Sequence, residues 1–471
     1  MSCLNKLSEI LNCRRILCLM VFSSFVMNAV LKISFNITIV AMVRKPNDTN
    51  PDLFNWNEGE KQNILGLFFW GFALTKIPSG RLAETIGSRR VTGWSMVLAS
   101  VLTILTPIIC YWNYYVLLTS RVMMGFLIGA SWPAIMPLAA KWIPPNEHSV
   151  FISCLASSAI GVALTYHLSG FIIAAYGWQS VFYLAGGASL LWSLAWFYLI
   201  YDSPQQHPRI TLHEKHLLEC QIDKSAKPRR LQFSQIPWKE IVKSGPVWAI
   251  AAGQTATFFG FTTLCTQGPS YMDQVLHVNI EQNGLFSGMP YWGGYFAALT
   301  SGYLADGLRK SNRLSTTTIR KLFETVSLLI PSLCMLSLAF WGDSTAVALT
   351  GFTISLTVNA VSTAGHCANI LDISHNYAGT ICGLVNTISA FSAYFSTKLV
   401  AQLLRNDHTF QEWRYLFGVL FGTYFSTTII YLVLCSGELQ KWDAQKVREE
   451  EKSTNCEHNN ELQLLTEKNV P

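Results

Sequence analysis

Half of the 471 residues are apolar, only 13% are charged, and the net charge is +6. Soluble domains carry about a quarter charged residues, so this composition excludes one and fits a chain of repeated membrane spans of ~20 residues each. The basic residues cluster between apolar runs and form no single face, which argues for membrane orientation and against a nucleic-acid partner. Of the twelve cysteines, Cys110, Cys154, Cys265, Cys334, Cys367, Cys382 and Cys435 lie in or beside apolar runs and no CxxC pair occurs, so no metal site is expected.

Lys6, Arg14 and Arg15 precede an apolar run over 16–42 that is too long for a signal peptide and reads as the first span. Asn36-Ile37-Thr38 lies within it and is read as a source of helix–helix hydrogen bonds. Asn47-Asp48-Thr49 in the following loop is an N-glycosylation acceptor at Asn47. Further runs fall at 62–82, 91–112, 114–140, 149–176 and 179–200. A polar linker, 201–244, carries Arg209, Lys215, Lys224, Lys227, Arg229, Arg230, Lys239 and Lys243. Runs at 246–272, 283–306, 319–341, 345–370, 377–404 and 414–435 complete six plus six. The chain thus divides into a cytosolic N-terminus (1–15), an N-terminal six-helix half (16–200), a cytosolic linker (201–244), a C-terminal half (245–436) and a cytosolic tail (437–471) expected to be largely disordered. Charge asymmetry puts both termini in the cytosol.

A basic string occurs twice, roughly 220 residues apart, as a duplicated bundle would leave it. Gly80-Arg81-Leu82-Ala83-Glu84 leads to Arg89-Arg90, and Gly302-Tyr303-Leu304-Ala305-Asp306 leads to Arg309-Lys310. Gly80, Arg81, Glu84, Arg89, Arg90, Gly302, Asp306 and Arg309 are candidate latch residues at the cytosolic face, with Glu84 and Asp306 able to pair with a cation or helix end.

Ionisable groups inside a span cost several kcal/mol unless they meet a partner or a cavity. Lys32 lies mid-span, too deep to snorkel, and either lines a central cavity or makes a structural hydrogen bond. Arg121, about two turns into the fourth run, either grips a carboxylate or phosphate with its fork or makes a structural pair. His366, in a run of small residues, is either a hydrogen-bonding residue or a proton carrier, and joins Lys32 and Arg121 as a candidate substrate-site residue. Lys76 and Lys398 are closer to span ends, and Asp372 is expected at the cytosolic face beside a cation. Two intramembrane cations with no acid next to them in sequence favour an anionic substrate.

Specific strings then become informative: Gly66-Leu67-Phe68-Phe69-Trp70-Gly71, Ile77-Pro78-Ser79-Gly80, Lys141-Trp142-Ile143-Pro144-Pro145-Asn146-Glu147, Leu314-Ser315-Thr316-Thr317-Thr318-Ile319-Arg320-Lys321 and Asn369-Ile370-Leu371-Asp372-Ile373. From about Leu31 to Trp442 the chain resembles the major facilitator superfamily. Within it, the resemblance is to the organic-anion and phosphate group of sialin, the vesicular glutamate transporters and the sodium-phosphate cotransporters, including insect inorganic phosphate cotransporter-like members. The resemblance implies an all-α membrane fold of twelve transmembrane helices in two pseudo-symmetric six-helix halves that rock around a central anion site. Arg121 matches the family's fourth-helix arginine, thought to engage the anion, and Lys32 stands where most members have arginine. Three positions depart from the pattern: Ile128 replaces a glutamate linked to proton coupling, Lys76 replaces a glutamine, and Ser392-Ala393 replaces a Pro-Gly pair.

The expected function is secondary transport of organic or inorganic anions, such as phosphate, sialate or glutamate, by a monomer in the lipid bilayer. The alternative is a non-transporting receptor or scaffold that retains the fold. No enzyme constellation occurs, and no cofactor is expected beyond a coupling ion, sodium or proton. The location is the plasma membrane or an endolysosomal or vesicular membrane, the latter suggested by Glu461-Leu462-Gln463-Leu464-Leu465 in the tail.

Overall fold

The computed structural model describes residues 12–43, 53–143, 154, 156–211, 236–374, 377–404 and 409–443. Asn47 and the acid-dileucine string lie outside them. The N-terminal helices are α1 (Cys13–Met42), α2 (Glu58–Ile86), α3 (Ser88–Trp112), α4 (Tyr114–Gly129), α5 (Ser131–Trp142), α6 (Ser158–Tyr176) and α7 (Trp178–Leu199). After a short α8 (Trp238–Lys243) come α9 (Gly245–Gln274), α10 (Ile280–Lys310), α11 (Thr316–Trp341), α12 (Thr345–Asn359), α13 (His366–Ile373), α14 (Ala378–Leu403) and α15 (Phe410–Leu434). α4 with α5, and α12 with α13, each make one interrupted span, so the helices supply twelve crossings.

Nine of these crossings are long and apolar enough on composition alone. The other three, α2, α9 and α10, have 29, 30 and 31 residues. At 1.5 Å per residue each exceeds the ~30 Å hydrocarbon thickness. Their polar, glycine and proline content lowers the hydropathy, and many of those residues are buried against protein. Local signals set the ends. Asn57 caps α2 in a reciprocal capping box with Glu60, and Asn279 caps α10. Gly87 turns α2 into α3 at φ +99°, where a side chain would also strike Asp202.

The pairing of helices repeats between halves. α1 packs on α6, α2 on α4 and α3 on α7; in the second half α9 packs on α14, α10 on α12 and α11 on α15. Under that pseudo-two-fold, the inter-half contact of α2 with α14 corresponds to that of α10 with α6. These contacts lie in the outer halves of the helices. Gly170 and Gly284 bring α6 and α10 together, since a Cβ at Gly284 would stand 2.6 Å from the Tyr166 carbonyl. Gly66 lets α2 meet Thr397 of α14 in the same way. Gln62 and Gln267 exchange amide hydrogen bonds at 2.9 and 2.8 Å, Lys398 Nζ donates to Asn63 at 2.6 Å, and the Tyr166 hydroxyl donates to the Cys265 carbonyl. Toward the cytosol, the bonds of Arg81, Arg89 and Arg309 to described residues each stay within their own half. The bundle is closed outside and open inside: it is inward-facing.

Candidate functional site

A small cavity lies at the centre, between α1, α2 and α4 of the first half and α9 of the second. Its lining includes Lys32, Asn36, Phe68, Phe69, Arg121 and Thr266. Lys32 and Asn36 share a face of α1 because they stand one turn apart. Asn36 uses its amide across the halves, toward the Cys265 carbonyl at 3.5 Å.

Arg121 is 4% exposed. Its Nε donates to the Ile64 carbonyl at 3.2 Å, and the guanidinium lies 4.5 and 5.2 Å from the ring centroids of Phe35 and Phe68. Held at one edge and stacked on a face, the fork keeps its outer nitrogens for another partner. Lys32 Nζ sits 5.5, 5.1 and 5.7 Å from the ring centroids of Phe69, Phe72 and Phe258. Lys32 is half-buried, and such contacts contribute only about 0.5–1 kcal/mol each. Among the described residues neither cation has a carboxylate partner. The cavity therefore presents two positive charges and, within its lining, no acid. Lys76 lies toward the cytosolic side, 4.4 Å from the Phe72 ring, so two ammonium groups share that ring.

His366 is not part of this lining. Fully buried at the start of α13, it places Nδ1 3.0 Å from both carboxylate oxygens of Glu324 and Nε2 2.6 Å from Gln254 Oε1. Glu324 is a buried intramembrane acid that sequence reading did not single out. Its signal was present, an acid one turn inside the Arg320-Lys321 pair in an otherwise apolar run, but its partner lies on another helix. The inter-half clasps Gln62–Gln267 and Asn63–Lys398 were likewise not read from sequence.

At the cytosolic face the two basic strings differ in their contacts. Arg81 and Glu84 pair at 3.2 Å on an exposed face. Arg89 donates through its guanidinium to the Phe197 carbonyl and through its backbone N–H to Asp202 at 2.8 Å, while Arg90 is exposed. Gly80 stands at ordinary contact distance from Pro133, and a Cβ at Gly302 would meet nothing among the described residues. Asp306 is exposed with no ion pair among the described residues, whereas Arg309 reaches Asp372 at 3.6 Å. Asp372 also binds Arg320 at 2.6 Å. In the inward-facing state neither glycine is at a tight helix crossing, as befits parts that close only when the cytosolic side does.

Comparison with known proteins places this geometry. The family model for the Major Facilitator Superfamily matches residues 17–397. The chain belongs to the major facilitator superfamily. Within that superfamily it is 31% identical to human sialin over 390 residues, 83% of this chain and 78% of sialin. It is 30% identical to mouse sodium-dependent phosphate transport protein 3 over 400 residues, 84% and 83% of the two chains. Human vesicular glutamate transporter 2 is 29% identical over 401 residues, 85% of this chain and 69% of that one. Among solved structures, a bacterial homolog of the human lysosomal transporter Spinster, inward-facing and unoccupied, gives a TM-score of 0.64 at 14% identity, covering 90% of this chain and 96% of that one. A D-xylose–proton symporter gives 0.63 at 15% identity, over 90% and 99%. These last two bear on the fold alone, an integral multi-pass membrane bundle.

Proposed function

We propose that this major-facilitator protein is a secondary transporter of small anions, phosphate or carboxylates such as glutamate or sialate, working by alternating access. The observation that carries the reading is the pair Lys32 and Arg121, two cations in one cavity at the junction of the halves with no acid in its lining. At about 4 Å and an effective dielectric of about 20, each cation attracts a monovalent anion by about 4 kcal/mol. That gross gain is set against the anion's dehydration. The relatives named for phosphate and glutamate carry anions, which agrees with this charge.

In this reading Arg121 supplies the directional fork and Lys32 a point charge. The cytosolic strings would latch when the halves rock to the outward-facing state, and a coupled ion, sodium or proton, drives accumulation. The test is uptake of labelled phosphate, glutamate and sialic acid into proteoliposomes under separate sodium, proton and potential gradients. Gradient-dependent accumulation of one anion, lost in Arg121→Ala, supports it. Folded protein that moves none of these anions under any gradient overturns it.

A further inference from the structure

The buried pair Glu324–His366 has no part in the anion cavity, yet its surroundings are built around it. A side chain at Gly365 would collide with the Glu324 carboxylate, and one at Gly253 would stand 2.8 Å from its Oε1. The tenth span is broken here. α12 ends at Asn359, a 3-10 turn covers Ala360–Thr363, and α13 restarts at His366. The first amide of that restarted helix, His366 N–H, donates to Glu324 Oε2 at 3.0 Å. Glu324 therefore accepts from both the backbone and the ring of one residue. A buried ion pair adds little stability over an apolar pair, so a broken helix and two glycines that accommodate one call for another reason.

The second imidazole nitrogen gives that reason. Nε2 meets Gln254, which is half-buried, and Cys367, next in the chain, is exposed. The site is thus dry on the Glu324 side and within one side chain of the cytosolic opening on the other. Gln254 can face Nε2 with its oxygen, when the ring carries both protons, or with its amide nitrogen, when Nε2 is bare. Both protonation states keep their hydrogen bonds. The other titratable groups facing the pair are Tyr431 of α15, Cys435 just beyond its end and Cys367 of α13. Arg320 and Asp372, one turn toward the cytosol, neutralise each other.

We propose that Glu324 and His366 form the proton-carrying site of this transporter, with Gln254 as its cytosolic contact. The inference rests on the anion-transport reading and specifies its coupling ion. Loaded, the pair is imidazolium and carboxylate, net zero. Inward-facing, His366 Nε2 gives its proton to water in the opening, and the pair becomes a neutral imidazole beside a carboxylate, net −1. The +1 lost with the proton is equal and opposite to the −1 lost with a monovalent anion. The protein therefore returns with the net charge it carried when loaded. One proton moves with one monovalent anion, and the cycle carries no net charge.

The experiment uses the full chain in proteoliposomes loaded with a pH-sensitive dye, with labelled glutamate or phosphate as the anion. In wild type, a pH gradient drives accumulation, the dye reports proton entry with the anion, and an imposed potential changes the initial rate of monovalent-anion uptake less than twofold. Glu324→Gln, which keeps the shape, retains anion affinity and anion–anion exchange within about twofold but loses at least tenfold of gradient-driven accumulation. His366→Gln gives the same separation should Glu324→Gln not fold. Accumulation in either folded variant equal to wild type overturns the proposal, as does wild-type accumulation driven by sodium alone with no proton movement. Wild type that neither binds nor exchanges any anion overturns the transport reading itself, together with the coupling site that rests on it.

Discussion

Gly284→Ala is the sharpest probe of the inward-facing geometry. In the closed outer interface the new methyl would stand 2.6 Å from the Tyr166 carbonyl oxygen and 2.9 Å from Gly170 Cα, both backbone atoms that cannot turn away. Restoring an ordinary contact of 3.4 Å requires α6 and α10 to part by about 0.8 Å. Overpacking of that kind costs about 1–3 kcal/mol, and the cost falls only on the state in which the outer halves meet. The inward-to-outward ratio should drop about 5- to 150-fold. Hydrogen–deuterium exchange on purified protein reads this directly. Peptides from the outer ends of α1, α9 and α14 should exchange faster than in wild type, and those from the cytosolic ends of α2 and α14 more slowly. Alanine raises local helix stability by about 0.5–1 kcal/mol, so faster exchange cannot be fraying of α10. An unchanged exchange pattern in a folded variant would refute the argument that close backbone approach at Gly284 holds the outer side shut.

Arg121→Lys keeps the charge but loses the bond to Ile64 and the fork; at about 1.5–3 kcal/mol for one charge-assisted hydrogen bond, KM for the anion should rise about 10- to 150-fold. An unchanged KM in uptake assays would remove the directional role of the guanidinium. Arg320→Ala leaves Asp372, whose side chain is 6% exposed, with only the longer Arg309 contact; a loss of about 3–5 kcal/mol and a Tm lower by several degrees in detergent are expected. A Tm equal to wild type would show the pair to be dispensable. Asn47→Gln should abolish the glycosidase-sensitive mobility shift of protein made in a glycosylating cell, and a shift that persists would place the outer loop's sugar elsewhere.

The architecture was legible because hydropathy and charge asymmetry act locally: each span buries its own backbone hydrogen bonds, and each basic cluster stays at the interface. Lys32 and Arg121 stood out for the same reason, as single charges in apolar runs. The interruptions at Ala130 and over 360–365 were not legible, since both sit within continuous apolar patterns. The second has its cause in Glu324, 42 residues from His366, and no local signal links them. Glu324 itself was masked by Arg320 and Lys321, which make its segment read as an interface end. Of the run placed at 149–176, residues 149–153 and 155 lie outside the described residues, and Ser158–Tyr176 is a helix. The outer clasps join residues more than 200 positions apart, so they depend on the packing of the two halves. The start of the region expected to be a tail is also held by packing: Gly437 N–H donates to Thr317 at 2.9 Å, Gln440 N–H to the Ile373 carbonyl at 3.0 Å, and Trp442 packs near Tyr377.

The central claim is that Lys32 and Arg121 together hold an anion between the halves. Equilibrium binding of labelled phosphate and glutamate to the purified chain tests it without any assumption about the driving ion. The account predicts saturable binding of at least one anion, displaced by other small anions and not by neutral amide analogues, and weakened at least tenfold by Lys32→Ala and by Arg121→Ala. Binding that is unchanged in folded Arg121→Ala, or that neutral analogues displace as well as anions do, would contradict it.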